Sequence, residues 1–296
     1  MTIWLEHLSG GRITFHDADG VRTRSLEAGE QGTVVFLLHG TWGHAEAYSR
    51  NVVALAARGF RVYAIDMVGH GLTGSPGDCS FLIGDYVRHL WDFAAAVCPG
   101  EKVHLVGESL GGWVAMSAAL ERPEQVASVV NVVGGGLRPI PPTVEETRGW
   151  AGLEDRSARV LAEPSFENWR ERMEWLVLEP AGMSDEMVHV RAAMYSSEER
   201  ALVARRVLES VVGMLRSEMP GALSPQDIAQ VKVPVLYLWT DHNPTTPTIV
   251  ARAAQNITPS ARLAVMSDCA HWPQYERPEE FNRLVGDYLN ERTRNL

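Results

Sequence analysis

The chain has 296 residues, of which 45% are hydrophobic and 22% are charged, a composition typical of a globular protein with one or two domains. Its net charge of −10, with no basic block, predicts that it does not bind nucleic acid, because a polyanion would be repelled. The opening MTIWLEHLSGG has no basic region and no long apolar stretch, so we expect no signal peptide, no membrane contact and a cytoplasmic location. Three widely spaced cysteines predict free thiols.

The first elements predicted along the chain are strands. GRITFHDADGVRTRSLEAG carries an Asp-Gly turn at 19–20 and predicts an antiparallel hairpin at a sheet edge. Later apolar runs are separated by helical patterns such as 80–97 and 110–121, as in a parallel sheet covered on both faces. We therefore predict an α/β fold, with strands at 33–38, 61–66, 102–107, 126–133, 233–239 and 261–266.

The strand pattern disappears between residues 138 and 221. A capping box, Thr143 with Glu146, opens the first of four helical patterns, at 143–162, 166–178, 184–196 and 198–217. We predict a helical cap over 138–221, inserted between core segments 1–137 and 222–296, that covers the ligand crevice at the carboxyl ends of the strands. The alternative is a peripheral helical decoration.

A candidate nucleophile lies in VGESLGGW, residues 106–113. Here a predicted strand meets a predicted helix, and the pattern Gly-x-Ser-x-Gly would place Ser109 on a sharp turn above the sheet. Glycine is expected at 107 and 111 because such a turn leaves no room for side chains. The same residues also fit a serine that only caps the helix at 110–121.

A serine nucleophile needs a base and an acid. His271 follows the last predicted strand, and Asp241 ends the strand before it, so the chain order Ser109, Asp241, His271 is the one expected of an α/β-hydrolase. Asp268, on the loop of His271, is the competing acid. Asp66 closes another strand and is interpreted as structural.

An oxyanion hole requires backbone amides. Leu110, after the serine, and either Thr41 or Trp42, in the strand-end loop HGTWGH, are the candidate donors. The loop histidines, His39 and His44, have no carboxylate or cysteine at ligand spacing, so we expect no metal and no cofactor.

The chain resembles the α/β-hydrolase superfamily, and within it the meta-cleavage product hydrolases. The segments that carry this resemblance are HGTWGHAEAYSRN, AIDMVGHGLTG, GESLGGW, SDEMVHVRAAMY and HWPQYERPEEFNRL. The resemblance implies cleavage of a carbon–carbon bond in a 2-hydroxy-6-oxo-hexa-2,4-dienoate-type ring-fission product of aromatic degradation. It also implies that Trp272 lies at the substrate site and that Arg191 binds the carboxylate and enolate oxygens. We expect a small-molecule substrate and a homodimer.

The chain also departs from that family. Glu108 precedes the nucleophile where many members have Asn, and Ala47 replaces an Asn of the oxyanion loop. From the residues alone, Arg191 either reaches water from an apolar helix stripe or faces an anion in a pocket. Two alternative functions therefore stay open: a carboxylesterase or lactonase with the same triad, and a ligand receptor on a hydrolase scaffold.

Overall fold

The computed structural model describes residues 2–294. Within this range eight strands form one mixed sheet. They are β1 (Arg12–Ala18), β2 (Val21–Ala28), β3 (Val34–Leu38), β4 (Arg61–Ile65), β5 (Val103–Glu108), β6 (Val126–Val132), β7 (Val235–Thr240) and β8 (Ala261–Met266). Their spatial order is β1-β2-β4-β3-β5-β6-β7-β8.

The predicted hairpin at the sheet edge is confirmed. β1 pairs antiparallel with β2, β2 pairs antiparallel with β4, and all later pairs are parallel. The turn between β1 and β2 places Asp19 at φ 50° and Gly20 at φ 82°, which is the left-handed backbone that an Asp-Gly turn provides. All six later runs form strands, each beginning and ending within two residues of its prediction.

Twelve α-helices belong to the described part of the chain. They are α1 (Ile3–His7), α2 (Val52–Ala56), α3 (Ile83–Val97), α4 (Leu110–Glu121), α5 (Val144–Ala162), α6 (Phe166–Glu174), α7 (Asp185–Met194), α8 (Glu198–Leu215), α9 (Pro225–Ala229), α10 (Thr248–Ile257), α11 (Pro273–Glu276) and α12 (Pro278–Thr293). Short 3₁₀ helices cover Ala45–Tyr48, Pro123–Gln125 and Pro180–Gly182. None of the helices in residues 2–294 is long and apolar enough to cross a bilayer.

The sheet is buried at its centre, because every residue of β3, β5, β6 and β7 is buried. Helices cover both faces of these strands, which explains why their sequences are continuously apolar rather than alternating. The carboxyl ends of the parallel strands all meet at one edge, and the loops that leave this edge carry the candidate site residues.

Helices α5–α8 lie between β6 and α9, and no strand lies within residues 144–215. The capping box is present: Thr143 accepts from the Glu146 amide, and the Glu146 carboxylate accepts from the Thr143 amide. The segment leaves and rejoins the core at one place, where Leu137 and Leu223 form a parallel bridge. Residues from all four helices line the cavity above Ser109.

Candidate active site

Ser109 lies at the turn between β5 and α4. Its backbone, at φ 54° and ψ −114°, has a conformation that non-glycine residues rarely adopt. The turn is fixed from both sides, since the Ser109 amide donates to the carbonyl of Val132 and its carbonyl accepts from the amides of Trp113 and Gly135. Strain of this kind persists only where the surroundings enforce it, and it is common at functional sites.

The two glycines of this turn are required by space. A Cβ atom added to Gly107 would lie 2.1 Å from the carbonyl oxygen of Gly111, and one added to Gly111 would lie 2.1 Å from the carbonyl oxygen of Leu38. The Ser109 side chain makes no capping hydrogen bond to α4. The interpretation of Ser109 as a plain helix cap is therefore wrong.

The cavity above Ser109 lies between the strand ends and helices α5–α8. Its walls are largely apolar, with Trp150 and Leu153 from α5 and Leu176 from the segment after α6. Polar groups converge on it from both the core and the cap, which is the usual composition of a small-molecule site. Its charged and titratable side chains are Glu108, Arg172, Arg191 and His271.

His271 is buried in the loop between β8 and α11, and its backbone amide donates to the carbonyl of Leu176 in the cap. Its Nδ1 lies 2.8 Å from Asn243 Oδ1 and 3.3 Å from Thr245 Oγ1. Its Nε2 lies 3.1 Å from Glu108 Oε1. No hydrogen bond between residues 2–294 joins this ring to Ser109, although both residues line the same cavity.

The structure does not bring Asp241 to His271, contrary to our expectation. The Asp241 carboxylate accepts from the amides of Asp268 (3.1 Å) and Cys269 (3.3 Å), and its side chain is 37% exposed. β7 ends at Thr240, so Asp241 lies at the start of the following loop, and two more residues bring Asn243 to the imidazole. The competing acid also lies elsewhere, because the exposed Asp268 carboxylate is 3.9 Å from Arg277.

Asp66 is a structural residue, as interpreted from sequence. Its carboxylate accepts from the amides of Ala45 and Leu72 and forms an ion pair with Arg24. These bonds fix the loop after β4 beside the loop that carries the candidate oxyanion donors.

The candidate oxyanion donors differ in position. Thr41 and Leu110 line the cavity, whereas the buried Trp42 does not, and its indole donates to the carbonyl of Ala204 in α8. Within the described residues, no hydrogen bond occupies the amides of Thr41, Trp42 or Leu110. The positions favour Thr41 and Leu110 as the pair.

Arg191 is completely buried and lines the cavity. None of its three guanidinium nitrogens has a hydrogen-bond partner among residues 2–294. Its Cζ lies 4.7 Å from the ring centroid of Trp272, which also lines the cavity. Burial lowers the pKa of Arg191 to about 10, so the group stays cationic at neutral pH. The alternative in which Arg191 reaches water is therefore wrong.

Sequence reasoning missed a second buried arginine. Arg172 lines the same cavity, its Nε donates to Ser157 Oγ at 3.0 Å, and its Nη1 has no partner in the described part of the chain. Burial first, and repulsion by Arg191 second, lower the pKa of Arg172 to about 9. A signal was available, because Arg172 lies three residues after Trp169 on the buried stripe of α6.

The loop histidines are engaged in the protein's own contacts. His39 Nδ1 lies 2.8 Å from the carbonyl of Gly40, and His44 Nδ1 lies 2.8 Å from a carboxylate oxygen of Glu46. One group of potential metal ligands occurs among the described residues, on the surface, and consists of Asp241, His242 and Asp268.

Comparison with known proteins adds the family. Residues 34–284 match the Alpha/beta hydrolase family. A 2-hydroxy-6-oxononadienedioate/2-hydroxy-6-oxononatrienedioate hydrolase of Paraburkholderia xenovorans is 27% identical over 94% of each chain. A 2-hydroxy-6-oxo-6-(2'-aminophenyl)hexa-2,4-dienoic acid hydrolase of Metapseudomonas resinovorans is 29% identical over 94% of this chain and 91% of that one. The structure resembles that of the meta-cleavage product hydrolase CumD of Pseudomonas fluorescens, with a TM-score of 0.79 and 27% identity over 94% and 97% of the two chains.

Proposed function

The chain belongs to the alpha/beta hydrolase family, and we propose that it hydrolyses a carbon–carbon bond in a 2-hydroxy-6-oxo-hexa-2,4-dienoate-type ring-fission product, with Ser109 as nucleophile and His271 as base. Arg191 carries this proposal. A buried cation without a hydrogen-bond partner among residues 2–294 is costly, and an anionic ligand that enters the cavity and accepts from the guanidinium would reduce that cost. A dienoate has a carboxylate and develops enolate charge, so it matches this environment.

Cleavage of a carbon–carbon bond requires more than a nucleophile and a base, because the leaving group is a carbanion. A carbanion leaves readily only when its charge is delocalised, so the dienol must first become a ketone by gaining a proton at carbon and losing the one on oxygen. Arg191 would stabilise the enolate charge in that step. Ser109 Oγ then attacks the 6-oxo carbon while His271 takes the hydroxyl proton.

Cleavage then follows from the tetrahedral intermediate, whose oxyanion would accept hydrogen bonds from the amides of Thr41 and Leu110. The carbon–carbon bond breaks, and His271 returns the proton to the departing carbon. Water hydrolyses the acyl-enzyme with the same base and releases the acid. Trp272 would pack beside the substrate and Arg191.

The comparisons support the substrate class. The hydrolases of Paraburkholderia xenovorans and Metapseudomonas resinovorans act, by their names, on substrates that share a 2-hydroxy-6-oxo skeleton with an acid group. The second arginine supports a narrower choice. Arg172 places a second cation in the cavity, and its Nη1 has no hydrogen-bond partner among residues 2–294, so we propose that substrates with a second acid group are preferred. The dioate hydrolase is named for a substrate of this kind.

The test is to mix the purified protein with a yellow dienoate, including the dioate form, and separately with p-nitrophenyl esters. We expect loss of the dienoate colour, and we expect Ser109→Ala and His271→Ala each to lower turnover by orders of magnitude in a folded protein. Ester turnover without dienoate turnover would indicate a carboxylesterase or lactonase. Turnover of neither would favour the ligand receptor.

Arg191→Gln separates carbon–carbon hydrolysis from ester hydrolysis. Loss of the guanidinium should reduce dienoate turnover by roughly 10²-fold or more, with a much smaller change on p-nitrophenyl acetate, which carries no anion. Arg205→Gln removes the same charge from the exposed face of α8 and is the matched control. Equal losses on both substrates would show that Arg191 supports the cap rather than the reaction.

A further inference from the structure

We infer that Glu108 supplies the negative charge that stabilises His271 when its ring takes up a proton, the role that the sequence predicted for Asp241. The inference rests on the proposed function only in taking Ser109 as the nucleophile and His271 as its base. It makes Glu108 a positioning and charge-stabilising residue that acts through His271. Three observations lead to it, concerning Asn243, Glu108 and the space around the carboxylate.

The first observation is the fixed orientation of the Asn243 amide. Its Nδ2 donates to the carbonyl of Thr246 at 2.9 Å, and its Oδ1 accepts from the Thr245 amide at 3.2 Å. The oxygen therefore faces His271 Nδ1, which must carry the hydrogen. Asn243 thus holds the tautomer in which Nε2 is the base, but a neutral amide adds no charge to stabilise the imidazolium.

The second observation is the state of Glu108. Its side chain is 1% exposed, and its Oε1 lies 3.1 Å from His271 Nε2. The contact has the distance of an ion pair without the alignment of a hydrogen bond, so both carboxylate oxygens lack a hydrogen-bond donor among residues 2–294. A carboxylate buried in this way needs positive charge beside it.

The charged and titratable groups that act on Glu108 come from four elements. Arg191 and Arg172 interact with it from cap helices α7 and α6, and His271 lies in contact with it. Tyr48 is the fourth group, and burial first and the charge of Glu108 second raise its pKa. Of these groups, only His271 both contacts the carboxylate and exchanges a proton in the proposed reaction. Protonation of this ring is therefore the event that Glu108 would stabilise most strongly.

The third observation is that the fold leaves room for this carboxylate. A Cβ atom added to Gly40 would lie 2.6 Å from Glu108 Oε2 and 3.0 Å from Oε1. A side chain at position 40 would thus displace the carboxylate from its place beside His271. Glycine at position 40 therefore leaves the space that the Glu108 carboxylate occupies.

The experiment compares the wild type with Glu108→Gln, Asn243→Asp and the double variant. The first readout is the rate at which a fluorophosphonate labels Ser109, which needs the base but no dienoate. The second is the dependence of kcat/KM on pH for a turned-over substrate, dienoate or ester. Thermal unfolding of each variant checks that it folds, and Glu108→Gln keeps the size of the side chain.

We expect Glu108→Gln to slow labelling by roughly 10²-fold, the order found when a buried electrostatic contact to a reacting group is removed. The acid limb of its pH profile should move to lower pH, because a ring without the carboxylate is harder to protonate. In the double variant, Asn243→Asp places a carboxylate at Nδ1. We expect the double variant to be labelled at least tenfold faster than Glu108→Gln alone.

Wild-type labelling and an unmoved profile in Glu108→Gln would overturn the inference. So would slow labelling that Asn243→Asp does not rescue, because Glu108 would then act only through packing. If labelling follows the expected pattern while no dienoate is turned over, the inference stands and the proposed substrate is wrong.

Discussion

Asp241 and Asn243 lie two residues apart in the loop after β7, and their side chains have different tasks. Asn243 contacts the His271 ring, whereas Asp241 binds the backbone of the loop that carries His271. We therefore expect Asn243→Ala to lower kcat/KM by roughly 10²-fold or more, because the tautomer is no longer held. Asp241→Asn, which keeps one acceptor oxygen, should cost only a few-fold and lower the unfolding temperature. If Asp241→Asn were the more damaging change, Asp241 rather than Asn243 would be the partner of His271 in solution.

A substitution of Arg172 tests the proposed preference for substrates with a second acid group. Arg172→Gln should raise the KM for a dioate by roughly 10-fold or more, because a charge-assisted contact is lost. For a substrate with a neutral 6-substituent it should change KM little. Ser157→Ala removes the hydrogen bond to Arg172 without removing the charge, and is the matched control. Equal effects on both substrates would assign Arg172 to the packing of the cap against Trp42, whose ring centroid is 4.8 Å from its Cζ.

At the scale of elements, strands and cap helices were predictable because local patterns determine them. The elbow at Ser109 could be predicted because only glycine fits at 107 and 111. The loop after β7 could not be predicted in the same way. Its path depends on the hydrogen bonds that Asn243 accepts from the Thr245 amide and donates to the carbonyl of Thr246, and a search for carboxylates does not find an amide side chain. The position of Glu108 beside His271 depends on contacts between distant segments, which no local pattern records.

Cap helix α5 packs directly against that loop. A Cβ atom added to Gly149 would lie 2.4 Å from the carbonyl oxygen of Pro244 and 2.7 Å from the Cα of Thr245, both backbone atoms. We expect Gly149→Ala to displace the loop and to lower kcat by roughly 10-fold, since small misplacement of catalytic groups is costly. Gly152→Ala, on the same helix, meets only side-chain atoms at 3.3 Å or more and should be nearly neutral. Similar activities for the two variants would mean that α5 does not position Asn243.

Five histidine side chains are buried in the described part of the molecule outside the cavity lining. Burial lowers the pKa of these five buried histidines, and for three of them to about 4. Burial thus favours the neutral form of each ring, and each is hydrogen-bonded to backbone or side-chain groups. They are His39, His44, His70, His89 and His104. Protonation of these rings at mildly acidic pH therefore favours the unfolded chain and lowers the free energy of unfolding.

The direction of this effect on stability is determined by linkage. Because the folded pKa of His104 is about 4 and the unfolded value is 6.5, the unfolded chain binds more protons between these values, so stability is lost as pH falls from 6.5 towards 4. From pH 7 to pH 5, each of the three histidines with a folded pKa of about 4, His70, His89 and His104, should lower the free energy of unfolding by about 1–2 kcal/mol. Urea titrations at both pH values measure this decrease in the free energy of unfolding. In His104→Gln the decrease should be smaller by the contribution of one histidine, about 1–2 kcal/mol. Ser128→Ala removes a hydrogen bond of His104 but keeps the imidazole. The decrease in its free energy of unfolding from pH 7 to pH 5 should therefore remain close to that of the wild type. A free energy of unfolding equal at pH 7 and pH 5 would mean that these rings are protonated in the folded protein.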